Sequence, residues 1–337
     1  MAEKADRILL AHGSGGRLSH ELVGSVVLPE LSNPVLLELG DSAVVESPAP
    51  RLAFTTDSHT VKPLFFPGGD IGRLSVCGTV NDLAAAGAKP LYLSLALIIE
   101  EGLELSVLSK VMRSIRAAAE EAGVSVVAGD TKVVEKGSGD GLFTNTSGIG
   151  AVREGVTLSP SRIEPGDKVL VTGTIGDHGA AVLSERQNLG FSSLRSDCAP
   201  LWGLVAGLLD AGVGVKFMRD PTRGGLATVL NEAVHGRAFG IRVLEPDVPV
   251  REEVRAFCEV LGLDPLYIAN EGKMVVVVAA KDAERALGVV RSQPLGREAA
   301  IIGDVVAEPK GRVYLSTRIK GTRVLDMLVG EQFPRIC

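Results

Sequence analysis

Extended and helical segments are interleaved along the whole chain without alternating one for one, and this constrains the fold more than any other feature. Short apolar or alternating runs fit strands at Leu52–Thr56, Leu91–Ile99, Val124–Ala128, Lys168–Thr172, Met274–Ala279, Ile301–Val306 and Val313–Ser316. Between them, helical signals cover Ile71–Ala86, Leu105–Ala122, Ala180–Gln187, Pro200–Ala211, Gly225–His235, Glu252–Leu261 and Asp282–Ser292. Gly87 and Gly123 stand where left-handed caps would end two of those helices. Val124–Ala128 is followed by another extended run, Leu142–Val152, and the Lys136–Gly141 stretch between them reads as a loose hairpin loop. A doubly wound parallel sheet needs a helix after nearly every strand. The class is therefore α/β or α+β, without a simple parallel sheet.

The 337 residues are enough for two domains at ~150 residues each. Two prolines and a glycine in Ser159–Asp167 precede a fresh strand at Lys168, which puts a boundary near 160. The expected division is 1–160, 161–317 and a mobile tail, 318–337, ending on Cys337. Even seven extended residues reach roughly 23 Å at ~3.3 Å each. Such a tail can visit its own site, a neighbouring subunit's or a partner's. The net charge of −6, with no block of Lys or Arg, leaves no electrostatic footprint for nucleic acid. No apolar run is long enough to span a bilayer, and the N-terminus lacks the layout of a signal peptide. Cys77, Cys198, Cys258 and Cys337 are far apart with no CxxC spacing, so neither a zinc site nor a disulfide framework is expected. A reducing cytoplasm is the natural location.

Four constellations carry possible chemistry. His12-Gly13-Ser14-Gly15-Gly16 opens a helical stretch, where glycine N–H groups and a helix start suit a phosphate; the same residues also fit a plain turn. Asp41, Asp57, Asp82 and Asp130 sit at strand or loop ends or, for Asp82, in an otherwise apolar helix. Carboxylates brought together from several strands hold Mg²⁺ against nucleotide phosphates, while each alone fits a turn or cap. Asp82 fits that bland role least, because an unpaired buried carboxylate is costly. Asp220-Pro221-Thr222-Arg223-Gly224-Gly225 is a second glycine pair at a helix start, a phosphate contact or an N-cap loop. Ala269-Asn270-Glu271-Gly272-Lys273 leads into the most apolar strand and fits catalysis or a turn equally. Apart from His12, the histidines His20, His59, His178 and His235 show no ligand spacing and read as ordinary surface or core residues.

Cys337 gives these groups something to act on. Tails tolerate almost any residue, yet a thiol on the last residue is well placed to carry a group into a site. The four aspartates with the Asp220–Gly225 loop resemble the ATP-dependent synthetases that include aminoimidazole ribonucleotide synthetase, selenophosphate synthetase and thiamine-monophosphate kinase. Over the whole chain, His12–Gly16, Gly129-Asp130-Thr131-Lys132-Val133-Val134, Asp220–Gly225 and the terminal Pro334-Arg335-Ile336-Cys337 resemble the HypE family of hydrogenase maturation factors, which are carbamoyl dehydratases.

The resemblance implies two α/β domains, each a mixed or mainly antiparallel sheet backed by helices, and a homodimer formed through the N-terminal domains. ATP would be held mainly by the N-terminal domain, with Gly13, Ser14, Gly15, Gly16, Asp220, Thr222, Gly224 and Gly225 as contacts. Mg²⁺ would sit on Asp41, Asp57, Asp82 and Asp130. A carbamoyltransferase, HypF, would load Cys337 with a carboxamide. ATP would then drive its dehydration to a thiocyanate, and a HypC–HypD scaffold would take the cyano group to the iron of a [NiFe] hydrogenase. Lys132 is the candidate cation for phosphoryl transfer and Glu271 the candidate base, with His12 in reserve. A kinase or synthetase acting on a free small substrate is the alternative.

Overall fold

The computed structural model describes residues 7–13, 17–39, 42–327 and 336–337. The chain opens with α1 (Arg17–Leu22), a π-helical turn (Val23–Val27) and α2 (Leu28–Leu31). It continues through β1 (Leu52–His59), the short β2 (Phe65–Phe66) and β3 (Gly69–Asp70), α3 (Ile71–Ala85), β4 (Ala88–Glu100), α4 (Leu105–Ala122), β5 (Ser125–Val134) and β6 (Leu142–Val152). The long strands make one sheet in the order β1-β6-β4-β5. Its pairs are antiparallel except β4–β5.

That order corrects the hairpin reading of Lys136–Gly141. The strands β5 and β6 are not neighbours, because β4 lies between them. Glu100, the last residue of β4, accepts the N–H groups of Gly137 (2.6 Å) and Gly141 (2.8 Å), so the loop wraps the end of the intervening strand. The helices α3 and α4 cover one face of the sheet. On α4 the apolar residues Leu108, Val111, Met112, Ile115 and Ala119 form one buried stripe. The helix ends at Gly123, whose φ of 68° lets its N–H turn back to the carbonyls of Ala119 and Glu120. By contrast, α3 is buried almost all round, since the second half of the chain packs on its far side. Asp70 caps it, accepting from Gly72 and Arg73 N–H.

The second half holds β7 (Lys168–Val171), α5 (Asp177–Gln187), α6 (Trp202–Asp210), β8 (Val215–Arg219), α7 (Gly225–Val234), β9 (Gly240–Leu244), α8 (Glu252–Leu261), β10 (Val275–Val278), α9 (Ala283–Arg291), β11 (Ala300–Val306), β12 (Val313–Ser316) and β13 (Thr322–Val324). The sheet order is β13-β12-β9-β11-β7-β10-β8, antiparallel except β9–β12. In β10, Val275 and Val277 face the core under α7, and Val276 and Val278 face the core under α6 and α9. A strand covered on both faces reads as an unbroken apolar run. Each such valine contributes on the order of 1.5–3 kcal/mol by burial.

Among the described residues, the strands β2, β3, β8, β9 and β13 have no counterpart in the sequence reading. Within the segment expected as a tail from 318, Thr322–Val324 is an edge strand, and Leu325 is buried with its N–H on the Val313 carbonyl (2.9 Å). The core under the first sheet does not stop at the proposed boundary. It takes in Ala180–Leu183 of α5, Val254 and Phe257 of α8, and Ile336. Among the described residues, no helix is long and apolar enough to cross a membrane.

Candidate active site

Asp57 and His59 lie two apart on β1 and so point to the same face, toward α3. Gly78 of α3 makes room for both. A Cβ there would stand 3.0 Å from Asp57 Oδ2 and 2.9 Å from His59 Cε1. One turn on, Asp82 accepts a hydrogen bond from Thr55 Oγ1 at 2.8 Å. Facing these from the second half are Asp220, Arg223, Glu271 and Cys337, each close enough for its charge to act on the others.

The frame is fastened by side chains that bind backbone. Asn81 of α3 donates to the carbonyls of Ala199 (3.0 Å) and Glu271 (3.1 Å) and accepts from Leu201 N–H (2.8 Å). Asp197 accepts from Glu271 N–H (3.0 Å) and pairs with Lys273 (3.2 Å). A Cβ on Gly272 would come 1.8 Å from the Asp197 carbonyl oxygen, so only glycine fits there. In the Asp220 loop, Gly225 has φ 60° and a Cβ would meet the Ile268 and Leu266 carbonyls at 2.7 Å. Gly224 (φ 73°) caps α7, and Thr222 accepts from Gly225 N–H at 2.9 Å. These glycines therefore serve chain packing in addition to any ligand.

The acidic groups outnumber the cations. Burial, aided by Asp220, Asp57 and Asp197, pushes the Glu271 carboxyl well above the usual carboxylate range, and its buried Oε1 has no hydrogen-bond partner. Burial and Asp82 push Asp220 up to about 7. Burial raises Asp82 as well, with Asp57 adding to it and the Thr55 hydroxyl opposing. Burial lowers His59, against the pull of Asp57, so the imidazole is neutral; neither ring nitrogen has a hydrogen-bond partner, and Nε2 lies 3.6 Å from Asp57 Oδ2. Burial likewise raises the Cys337 thiol, with Glu271 adding and Arg223 opposing.

Asp220 gives a pH prediction. Its folded pKa of about 7 lies above the unfolded 3.8, so the folded state holds the proton more tightly. Asp220 therefore costs stability as pH rises from ~4 through about 7. Asp220→Asn does not titrate, so it should melt higher than the parent at pH 8, by several degrees, with the gap closing toward pH 5. Thermal melts across that range check this; a gap that widens toward acid refutes it.

The other expected residues gather elsewhere. Gly13, Ser42, Asp130 and Lys132 line a cavity of about 420 Å³ whose walls include Val23, Leu28, Val126 and Leu97. Lys132 pairs with Asp130 at 2.8 Å, both exposed. Asp130 aligns across the sheet with Ala96, Asn145 and Ser58, one residue out of phase with Asp57. It therefore stands on the opposite face, and three strand spacings away, about 14 Å. Within one chain, Asp130 and Lys132 do not join Asp57, Asp82 and Glu271. His12 is buried in its own turn, its Nδ1 accepting from Leu9 N–H at 2.9 Å. Ser14, Gly15, Gly16 and Asp41 lie outside the described residues.

Among the described residues, no three His, Cys, Asp or Glu side chains are spaced to hold a metal ion by themselves. The Asp57, Asp82 and Asp220 group fits a shared cation nonetheless. Burial and neighbouring carboxylates raise the Asp82 and Asp220 carboxyls, and Mg²⁺ needs only one or two carboxylates when phosphates complete its shell.

Sequence reasoning passed over three residues of this site. His59 was detectable from the Asp-x-His alternation on a strand, and Arg223 from its place inside the Asp220 loop. His178 had no such signal. It is fully buried, with Nδ1 2.8 Å from Ser196 Oγ and Nε2 3.0 Å from the Ile336 carbonyl oxygen.

Residues 39–152 match the family described as AIR synthase related protein, N-terminal domain, and residues 164–316 match its C-terminal domain. Carbamoyl dehydratase HypE of Azotobacter vinelandii is 51% identical over 329 residues, covering 97% of this chain and 96% of the relative. A crystal structure of hydrogenase maturation protein HypE in complex with ATP superposes with a TM-score of 0.94 at 49% identity, covering 98% of this chain and 99% of that one. A HypE–HypF complex matches with a TM-score of 0.80 at 48% identity, covering 93% of this chain and 100% of that one. At this identity over nearly the full length, the chain belongs to the HypE family of carbamoyl dehydratases of hydrogenase maturation, built on the two AIR synthase related domains.

Proposed function

We propose that this protein uses ATP to dehydrate a carboxamide carried on its own Cys337 to a thiocyanate, supplying cyanide ligands for the iron of a [NiFe] hydrogenase. The observation that carries this reading is the place of Cys337, the last residue, among Glu271, Asp57, Asp220 and Arg223. ATP is supported by the ATP complex of a 49% identical HypE, and HypF as the loading partner by the HypE–HypF complex. The HypC–HypD scaffold as acceptor follows from the family resemblance.

In the S-carbamoyl group the amide oxygen is a poor leaving group. Transfer of the γ-phosphoryl group to that oxygen makes it a phosphate ester, which departs with the C–O bonding pair. Loss of both N–H protons leaves S–C≡N, so carboxamide and ATP become thiocyanate, ADP and phosphate. Glu271 is suited to take a proton from nitrogen, because a carboxylate with a raised pKa is a stronger base than usual. Arg223 offsets negative charge beside Cys337. Asp57, Asp82 and Asp220 would hold Mg²⁺, which would neutralise phosphate charge during transfer.

The nucleotide fits the cavity by Gly13 and Lys132, whose apolar walls suit a base and whose polar rim suits phosphates. Leu52, Phe54 and Ile98 are exposed on the sheet face away from α3 and α4. An apolar face of that kind suits a homodimer contact. Asp130 and Lys132 share this face, so a second copy is what would carry them toward the Cys337 site.

Intact-mass measurement on the purified chain tests the reading. With HypF, carbamoyl phosphate and ATP, Cys337 should gain one carbamoyl group and then lose one water. A carbamoyl group that persists under ATP while the nucleotide is consumed on a free small molecule would overturn it.

A further inference from the structure

We propose that the open edge of the second sheet, beside β13, is a docking site for an extended, acidic segment of a partner protein. The segment adds as one more strand and sets a Glu or Asp side chain against Arg255. This surface does not depend on the chemistry at Cys337.

β13 closes the order of the seven-stranded sheet and pairs on one side only, with β12. Thr317 N–H donates to the Gly321 carbonyl (2.8 Å) and Leu325 N–H to the Val313 carbonyl (2.9 Å), so the odd-numbered residues of the outer strand face β12. In an antiparallel ladder the residues between them turn their N–H and C=O groups the other way. Those of Thr322 and Val324 are therefore presented to the open side, and among the described residues nothing bonds to them. All three residues of β13 are exposed. Val324 is 58% exposed, and Ile319 in the turn of the same hairpin is 91% exposed.

Arg323 stands opposite Leu315 and shares its face, where it lines a cavity of about 330 Å³ together with Arg318 and Arg255 of α8. Two of the three carboxylates of that cavity are engaged. Asp264 pairs with Arg323 and accepts from Leu266 N–H at 3.0 Å, and Glu245 accepts from Arg318 N–H at 3.0 Å. The third, Glu259, is exposed. Arg255 is half-buried, and among the described residues no carboxylate pairs with its guanidinium or with that of Arg318. A carboxylate entering the cavity meets guanidinium groups free to bind it through paired N–H donors.

The edge and the cavity meet in an added strand. Neighbouring strands lie ~4.8 Å apart, and residues directly opposite share a face. The partner residue opposite Arg323 therefore points to the cavity side, and the residues flanking it lie beside Thr322 and Val324. In this mode of recognition main-chain bonds supply affinity, and a pocket for alternate side chains supplies selectivity. Charge chooses the partner. Arg318, Lys320 and Arg323 are the only charged residues from Val313 to Val324, in a chain whose net charge is −6. A second copy would bring the same cations to the same edge and be repelled.

Fluorescence anisotropy on the full chain tests this, with a labelled Thr-Val-Glu-Val-Thr amide as probe. The probe should bind saturably. Replacing its Glu by Gln, or Arg255→Ala in the protein, should weaken binding by about fivefold or more. Val324→Pro removes an N–H that points outward, so it should fold normally and lose the probe. A probe N-methylated along its backbone should fail on the parent chain in the same way, which keeps the test independent of that variant. The site is overturned by no saturable binding at millimolar probe, by equal binding of the Glu and Gln probes, or by binding indifferent to Val324→Pro and to N-methylation. Tighter binding of an oligouridylate, or self-association that Val324→Pro abolishes, overturns the acidic partner as its occupant.

Discussion

Cys337→Ala is expected to abolish formation of a cyano group on the chain while leaving its fold and the docking of its end intact. The reason lies in which atoms are bound. His178 and Thr60 hold the Ile336 and Cys337 carbonyl oxygens, neither of which changes in the variant. The Ile336 side chain stays in the core. Only the sulfur is lost, and with it the atom proposed to carry the carboxamide. The effect on turnover is therefore total, and the effect on melting temperature is within the range of a small surface change. Intact-mass analysis after incubation with HypF, carbamoyl phosphate and ATP reads the first, and calorimetry the second. Any mass gain on the variant would mean that another group carries the carboxamide.

Glu271→Gln is expected to slow water loss from the carbamoylated tail by ~10²–10⁴-fold, the usual contribution of a positioned base. Nucleotide binding and loading by HypF should survive. The variant should also be as stable as the parent at neutral pH, or more so. Glu271 has a folded pKa above the unfolded 4.5, so its ionisation in the buried site costs stability as pH rises above ~4.5. A glutamine removes that cost and keeps the shape. Single-turnover dehydration of the loaded protein, measured beside thermal melts, separates the two effects. Loss of folding with loss of turnover would make Glu271 a structural residue, and undiminished turnover would remove it from the chemistry.

Much of the scaffold was legible in the sequence because it is written in local pattern. The helix read over Leu105–Ala122 forms over those same residues, since its apolar stripe and its terminal Gly123 are both local signals. The four valines of β10 lie in the run read as a strongly apolar strand, and cover on both faces is what makes that run unbroken. What was missed is non-local. β9 opens with a glycine and carries Arg242, which is paired across to Asp304 of β11 only once the sheet has formed. The hairpin reading failed because nothing in residues 125–152 records that β4 will slide between two strands adjacent in sequence.

The site divided in the same way. Asp57, Asp82, Asp220, Glu271 and Cys337 stood out as residue types in suggestive surroundings, and they come together. Asp130 and Lys132 stood out equally, but strand parity puts them on the other face of the sheet. The contact of Thr60 with Cys337 was invisible, because it joins residues 277 positions apart. His178 reaches the carbonyl of a residue 158 positions away. No spacing rule spans such separations.

The amide of Asn81 carries a final consequence. One side chain on α3 holds three backbone groups from two separate segments of the other half, and Asp197 locks those segments to each other. Walls joined like this do not swing apart cheaply, since each parted bond would strand a buried polar group. Traffic through the pocket must then come from a thread drawn in and out of a fixed keyhole. A protein that loads or unloads the thread has then to draw out a held end, parting the contacts of Thr60 with Cys337 and of His178 with Ile336.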